Sequence, residues 1–366
     1  MFKIDFKKFT PHALAIGLFI VITMIFFYPM AKGKRLVSND VITHAGNAKE
    51  CQDFRAIYDQ EPLWTNSSFG GLPAYNVSMH SKTNLTAQVY RILLLGISPA
   101  SFLFISLLGF YILLLTMKVD PWLAAGGAAA FGLSSYFIII IGAGHSTKTL
   151  SLALMAPVLA GVILAFRGKY LKGAAVTGLC LALMLRANHL QIIYYLLMIL
   201  ILFGLFHFWQ TVKEKSYERF FKALGALCAA AILAVGTHST HLMMTYQYSS
   251  SSTRGQTELT ANAEIQTGGL DKKYITDWSY GVAETWTLLI PKFMGGASVG
   301  SLGKDSETYQ ALKERNIPNA AGIVQSVPVY WGDQPGQSGP VYLGAIMCFL
   351  FVLGLFIVKG PVKWWL

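Results

Sequence analysis

Three short stretches of this sequence carry side chains whose types and spacing could do chemistry. The first is Val37-Ser38-Asn39-Asp40-Val41-Ile42, where a lone carboxylate follows an apolar run by a short polar connection. A carboxylate held beside a membrane can take a proton from a hydroxyl where water is partly excluded. Asp is also a common cap and turn residue, so local capping is the competing reading of Asp40. The second is Gly142-Ala143-Gly144-His145-Ser146-Thr147-Lys148. Its glycines let backbone N–H groups approach a ligand, Lys148 adds a point charge, and the start of the next helix favours an anion. Lys148 could equally snorkel to an interface. The third is Arg186-Ala187-Asn188-His189-Leu190-Gln191, a turn of the same kind.

These turns have to be positioned by something, and the composition says what. Of 366 residues, 54% are hydrophobic and only 13% charged, about half the usual charged share of a soluble domain. Apolar runs near 11–30, 92–117, 121–141, 149–166, 171–185, 190–209, 222–244 and 340–358 predict an all-α polytopic membrane protein with a bundle of about eight transmembrane helices. Helices satisfy their own backbone in hydrocarbon, which an open strand cannot do. Two polar segments interrupt the series, a first outer loop at 31–90 and a large one at 246–339, and no internal repeat divides the chain.

Charge sets the orientation. Lys3, Lys7, Lys8, Lys118, Arg167, Lys169, Lys172, Lys213, Lys215, Arg219, Lys222, Lys359 and Lys363 fall on one side of the series, while only Lys148 and Arg186 occupy short loops on the other. By the positive-inside rule the N-terminus is cytoplasmic and the functional face extracytoplasmic. The net charge of +11 is therefore a topology signal, and without a basic stripe interleaved with aromatics nucleic acid is excluded as a partner. The N-terminal run lacks a small-x-small cleavage site and is too long for a signal peptide, so an uncleaved anchor is expected. Cys180, Cys228 and Cys348 lie in apolar runs, which leaves Cys51 alone in a polar segment and gives no disulfide framework.

The two outer cations on neighbouring turns suggest one shared anionic ligand. His44, His80, His145, His189, His238 and His241 all fall on the outer side, and the three-residue spacing of His238 and His241 is too little for zinc, which needs three or four convergent ligands. No metal site is expected, no cofactor signature stands out, and only a divalent cation is left open. In the large outer segment, Asp271, Asp277, Trp278, Tyr280, Glu284, Trp286, Tyr330, Trp331 and Asp333 set ring faces beside carboxylates, a combination suited to sugar binding or to an interfacial aromatic belt. Thr285–Pro291 looks like a segment dipping back to the membrane, and Asn47–Tyr58 has the spacing of a surface helix with Cys51, Phe54 and Ile57 on one side. Asn66–Pro73 is turn-rich and reads as a loop.

Taken together, Asp40, Leu63-Trp64-Thr65-Asn66-Ser67-Ser68-Phe69-Gly70-Gly71-Leu72-Pro73-Ala74-Tyr75, Gly144 to Lys148, Arg186 to Gln191, Trp278-Ser279-Tyr280-Gly281 through Glu284-Thr285, and Tyr330-Trp331-Gly332-Asp333-Gln334-Pro335 resemble the YfhO-like bacterial membrane protein family, within the GT-C glycosyltransferase superfamily. The resemblance runs over nearly the whole chain. It implies a single GT-C-like transmembrane domain over 1–366, with the C-terminal part of the family absent, in the bacterial cytoplasmic (inner) membrane. It implies transfer of a sugar from a polyprenyl-phosphate-linked donor to an extracytoplasmic acceptor, a cell-envelope glycan, lipid or protein, with Asp40 as the catalytic base. Lys148, Arg186, His145 and His189 would hold the lipid phosphate, and Trp278, Glu284, Trp331 and Asp333 the sugar or acceptor. The rival readings are a multi-pass lipid or glycan transporter or flippase and a non-catalytic membrane assembly partner. Transport ranks lower, since no charge lies mid-helix.

Overall fold

The computed structural model describes residues 6–79, 83–249, 252 and 276–360; His80, Asp271, Lys3 and Lys363 lie outside them. Packing divides the chain into two compact units, Met1–Leu133 with Ile140–Tyr246, and Ser134–Ile139 with Gln247–Leu366.

The first unit is helical. Its principal helices are α1 (Phe6–Phe26), α3 (Asn39–Tyr58), α4 (Leu85–Leu94), α5 (Ala100–Thr116), α6 (Pro121–Gly132), α8 (Ser146–Phe166), α9 (Tyr170–Ala187), α10 (Leu190–Glu214), α11 (Tyr217–Gly236) and α12 (Ser239–Ser249), with a one-turn α2 (Tyr28–Ala31) after α1. Another helix, α7 (Ser135–Ala143), follows α6 at a bend of 44°. Among the described residues, α1, α8, α9, α10 and α11 are long and apolar enough to cross a membrane, and the α6–α7 pair makes a sixth if it counts as one span.

Two of the eight expected spans are short. The 92–117 run divides into α4 and α5, and α5 with 17 residues rises about 26 Å. The last run gives 13 residues, Ala345–Ile357, or about 20 Å. The 222–244 run also breaks, at Thr237 and His238 between α11 and α12.

Local chemistry explains the ends. Asp120 accepts from Trp122 N at 2.9 Å and Pro121 occupies the first turn of α6, a standard start. Lys118, Asn188 and Lys215 take positive φ where α5, α9 and α10 stop, and Gly168 does so between α8 and α9. Helix α3 begins at Asn39, eight residues ahead of the expected start at Asn47, because Ser38 caps it by accepting from Val41 N. Within it Ala48 and Cys51 are buried, while Ile57 is exposed. Of the expected loop at 66–73, residues 66–71 are the tip of a small antiparallel pair, Trp64–Thr65 with Leu72–Pro73, and Leu72 and Pro73 are its second strand.

Helix α8 is the most enclosed of the long helices and α10 the least. The core around α1, α5 and α6 is made by Ala15, Phe19, Leu103, Leu107, Tyr111, Ala124, Ala125 and Ala128. Tyr111 meets the Phe19 ring edge-on at 5.5 Å and hydrogen-bonds His12 Nδ1 at 2.8 Å. The α8–α9 contact is tighter still. A Cβ on Gly173 would stand 2.5 Å from Ala165 N and 2.6 Å from Gly161 O, so small residues four apart on both helices bring the backbones together. The outer surface of α10 instead exposes Leu197, Leu202 and Leu205, apolar side chains that a bilayer would cover.

In the second unit, a 3₁₀ segment (Ala283–Leu288), α13 (Glu307–Glu314), α14 (Ala320–Ile323) and α15 (Ala345–Ile357) are joined by irregular chain. Antiparallel bridges pair Gly295 with Tyr330 and Gly300 with Val327. Ser135 Oγ accepts from Tyr342 N at 2.6 Å.

Replacing Gly173 with Leu should destabilise the chain by about 1–3 kcal/mol or more through overpacking, whereas Gly204→Leu on α10, where a Cβ meets nothing within 4 Å, should be neutral. Thermal unfolding in detergent, followed by tryptophan fluorescence, compares the two.

Candidate functional site

The first group of functional side chains gathers where α3 and α8 begin. Ser38, as the cap of α3, leaves Asp40 in the first helical turn, where its charge complements the helix dipole. His145 is the residue before α8, and its carbonyl accepts from Thr149 N and Oγ1 at 2.9 and 2.8 Å. These two starts meet: His145 Nε2 stands 3.2 Å from Asp40 Oδ2, with side chains 44% and 58% exposed. Gly144 makes the approach feasible. It takes φ +88°, and a Cβ there would overlap the Ser38 hydroxyl and press on Asp40 Cβ at 3.4 Å.

His189, which precedes α10, comes to the same place. Its Nδ1 is 3.5 Å from Thr147 Oγ1, a marginal hydrogen bond. Burial holds the His189 pKa below its ordinary value, and the nearby Lys148 and His145 lower it further. His189 therefore tends to be neutral, and an anion brought to Lys148 would raise its proton affinity. Asp40, His145, Lys148 and His189 thus form one group, with a carboxylate, a cation and two imidazoles at adjoining helix starts.

Arg186 lies near a further cluster, where its charge acts on Tyr90, His238 and His241. His238 and His241 lie ring to ring at 4.8 Å, and Tyr75 meets His241 edge-on at 5.7 Å. Burial above all, then His241 and Arg186, depresses His238 to about 4. Among the described residues no three His, Cys, Asp or Glu side chains converge as a metal site.

Comparison with protein-family models, curated proteins and solved structures finds no match. Geometry and chemistry therefore carry the functional reading.

The second group lies in the second unit and is built around Glu284, only 2% exposed. Tyr330 donates to Glu284 Oε1 at 2.6 Å, and Gly281 N donates to Oε2 at 3.2 Å. Burial, reinforced by this carboxylate, pushes the Tyr330 phenol up to about 12. The backbone N–H of Gln334 donates to the Tyr330 hydroxyl at 3.0 Å, and its side-chain amide to Trp278 O at 2.9 Å. Trp278, Trp331 and Asp333 are exposed, with Asp333 packed so closely on Gly281 that a Cβ there would overlap its carboxylate. Glu284 thus braces a rim, and the exposed rings and Asp333 are the parts able to touch a ligand.

Sequence reasoning placed Asp40, His145, Lys148 and His189 on one side but missed the Asp40–His145 pairing and the Thr147 link. It set Tyr330 among the aromatics without seeing it as the partner of Glu284. The Gly-His adjacency was the only local signal, because the partners lie far apart in the chain.

Two outcomes follow. Tyr330→Phe leaves a buried Glu284 oxygen short of its donor and should cost about 1–3 kcal/mol in thermal or denaturant unfolding. Because His238 is held near 4 when folded against an ordinary 6.5, the unfolded chain binds more protons between those values. Stability should therefore fall as pH drops from 6.5 toward 4, and His238→Gln should make that slope shallower in melts recorded across the window.

Proposed function

We propose that this chain is a membrane glycosyltransferase of the GT-C type that transfers a sugar from a polyprenyl-phosphate carrier to an extracytoplasmic acceptor in the bacterial inner membrane. The observation that carries this reading is the Asp40–His145 pair beside Lys148 and His189. The resemblance of the motifs to the YfhO-like family supports it, and so does the eight-run hydropathy pattern. Asp40 takes the proton of the acceptor hydroxyl, whose oxygen attacks the anomeric carbon as the bond from that carbon to the lipid phosphate oxygen breaks. The departing electron pair settles on the phosphate, where Lys148 offsets the new charge and His189 gains proton affinity. His145 orients the carboxylate. Arg186 contributes a longer-range positive field. Within the second unit, the rim of Trp278, Trp331 and Asp333, braced by Glu284, offers ring faces and a carboxylate suited to a sugar.

One observation favours the transporter or flippase reading. The 44° break between α6 and α7 resembles the discontinuous helices that transporters use at binding sites.

Asp40→Asn should lower transfer by roughly 10²–10⁴-fold with membrane insertion intact. His145→Gln should lower it less, and Lys148→Gln should weaken use of the donor. The measurement is incorporation of labelled sugar from polyprenyl-phosphate donors in reconstituted membranes. Full activity of Asp40→Asn would sink the assignment, and movement of labelled lipid across liposomes without a glycosylated product would establish transport in its place.

A further inference from the structure

At the end of the first unit where α5 and α8 finish and α9 and α11 begin, four cations line one cavity of about 740 Å³: Lys118, Arg167, Lys169 and Arg219. Their convergence has local causes. Lys118 stands at φ +67° just beyond α5, the Gly168 turn sets Arg167 and Lys169 on either side of itself, and Arg219 lies in the first turn of α11. Arg167 donates through one NH group to the Thr116 carbonyl, which anchors the guanidinium and leaves its other N–H groups to serve a ligand.

No carboxylate lines this cavity, and among the described residues Lys118, Lys169 and Arg219 form no ion pair. Glu218, the neighbour of Arg219, is held by Lys222 at 2.5 Å. A topology signal accounts for these cations lying at one end of the helices, but not for their lining one cavity. Four on one cavity repel one another, and an anion placed among them relieves that repulsion.

The floor of the cavity is apolar, formed by Ile112, Leu115 and Leu164. Ile112 also lines a second cavity of about 530 Å³, which continues along α5 past Leu108 and Ile105 between apolar side chains of α8 and α9. A charged seat and an apolar trough that share Ile112 as a lining residue together match an amphiphile, with a phosphate head and a hydrocarbon tail. The 21 residues of α8 put about 30 Å between this end and the Asp40–His145 pair, so the two sites are distinct.

We propose that these adjacent cavities bind an anionic phospholipid, its phosphate among Lys118, Arg167, Lys169 and Arg219 and an acyl chain passing Ile112 into the trough along α5. In the orientation proposed above, this end faces the cytoplasm, where anionic headgroups meet basic pockets between helices.

Native mass spectrometry of the full chain released from micelles containing equal phosphatidylglycerol and phosphatidylcholine tests the assignment. The unaltered chain should retain phosphatidylglycerol preferentially. Each cavity cation removed should reduce that preference about fivefold, so Lys169→Gln with Arg219→Gln should nearly abolish it. Lys213→Gln with Lys215→Gln removes the same charge outside the cavity and should leave it intact. Equal loss in both pairs, or no loss in the first, overturns the proposal. Ile112→Trp, which enlarges the side chain lining both cavities with the charges untouched, should also reduce retention of phosphatidylglycerol. If it does not, or if inorganic phosphate displaces the lipid from the unaltered chain, the seat takes free phosphate and the lipid assignment fails. Should the double variant misfold, as judged by circular dichroism, Lys169→Gln alone decides by the same fivefold loss.

Discussion

Close contact between α8 and α9 across Gly161 and Gly173 determines what stands at both ends of the first unit. With backbones this near, the two helices act as one rigid strut, and the residues just before α8 and just after α9 are carried with it. Lipid tails are as apolar as leucine, so between membrane helices the gain comes from van der Waals packing of small residues rather than from expelling water. That is why Gly161, Ala165, Gly173 and Thr177 matter more here than any large side chain. At one end the strut presents His145, Lys148, Arg186 and His189; at the other, Arg167 and Lys169.

A second constraint acts at the start of α8. Asp40 belongs to a helix that Ser38 caps, so its carboxylate is held by backbone geometry rather than hung on a loose tail. Gly144 lets that helix come close enough for the carboxylate to meet His145. Both groups remain partly exposed, which weakens their mutual attraction through solvent screening but leaves room for a hydroxyl-bearing partner. The arrangement has a chemical logic independent of any family: a base, a cation and a neutral imidazole gather where two helix N-termini already favour an anion.

Within the second unit the constraint is a buried carboxylate. A carboxyl removed from water at Glu284 is tolerable because Tyr330 and Gly281 donate to it, and with the Gln334 bonds to Tyr330 and Trp278 they hold the segment carrying Trp278 near the segment carrying Trp331 and Asp333. The residues read from sequence as ligand contacts therefore divide in two: Glu284 supports, and the exposed rings and Asp333 are available for binding.

The sequence by itself determined the class of the molecule, the position of its long apolar helices and the side-by-side occurrence of His145 and Lys148. Those properties are local, since hydropathy accumulates residue by residue and turn chemistry depends on immediate neighbours. It misjudged helix ends where a cap or bend intervenes, at Asn39, at the α6–α7 break and at Thr237. It did not contain in readable form the meeting of Asp40 with His145, the nearness of Arg186 to His238 and His241, the tie between Glu284 and Tyr330, or the convergence of four cations on one cavity. Each of these joins residues far apart in the chain, and only the packing of helices in three dimensions decides which distant side chains come within reach of one another.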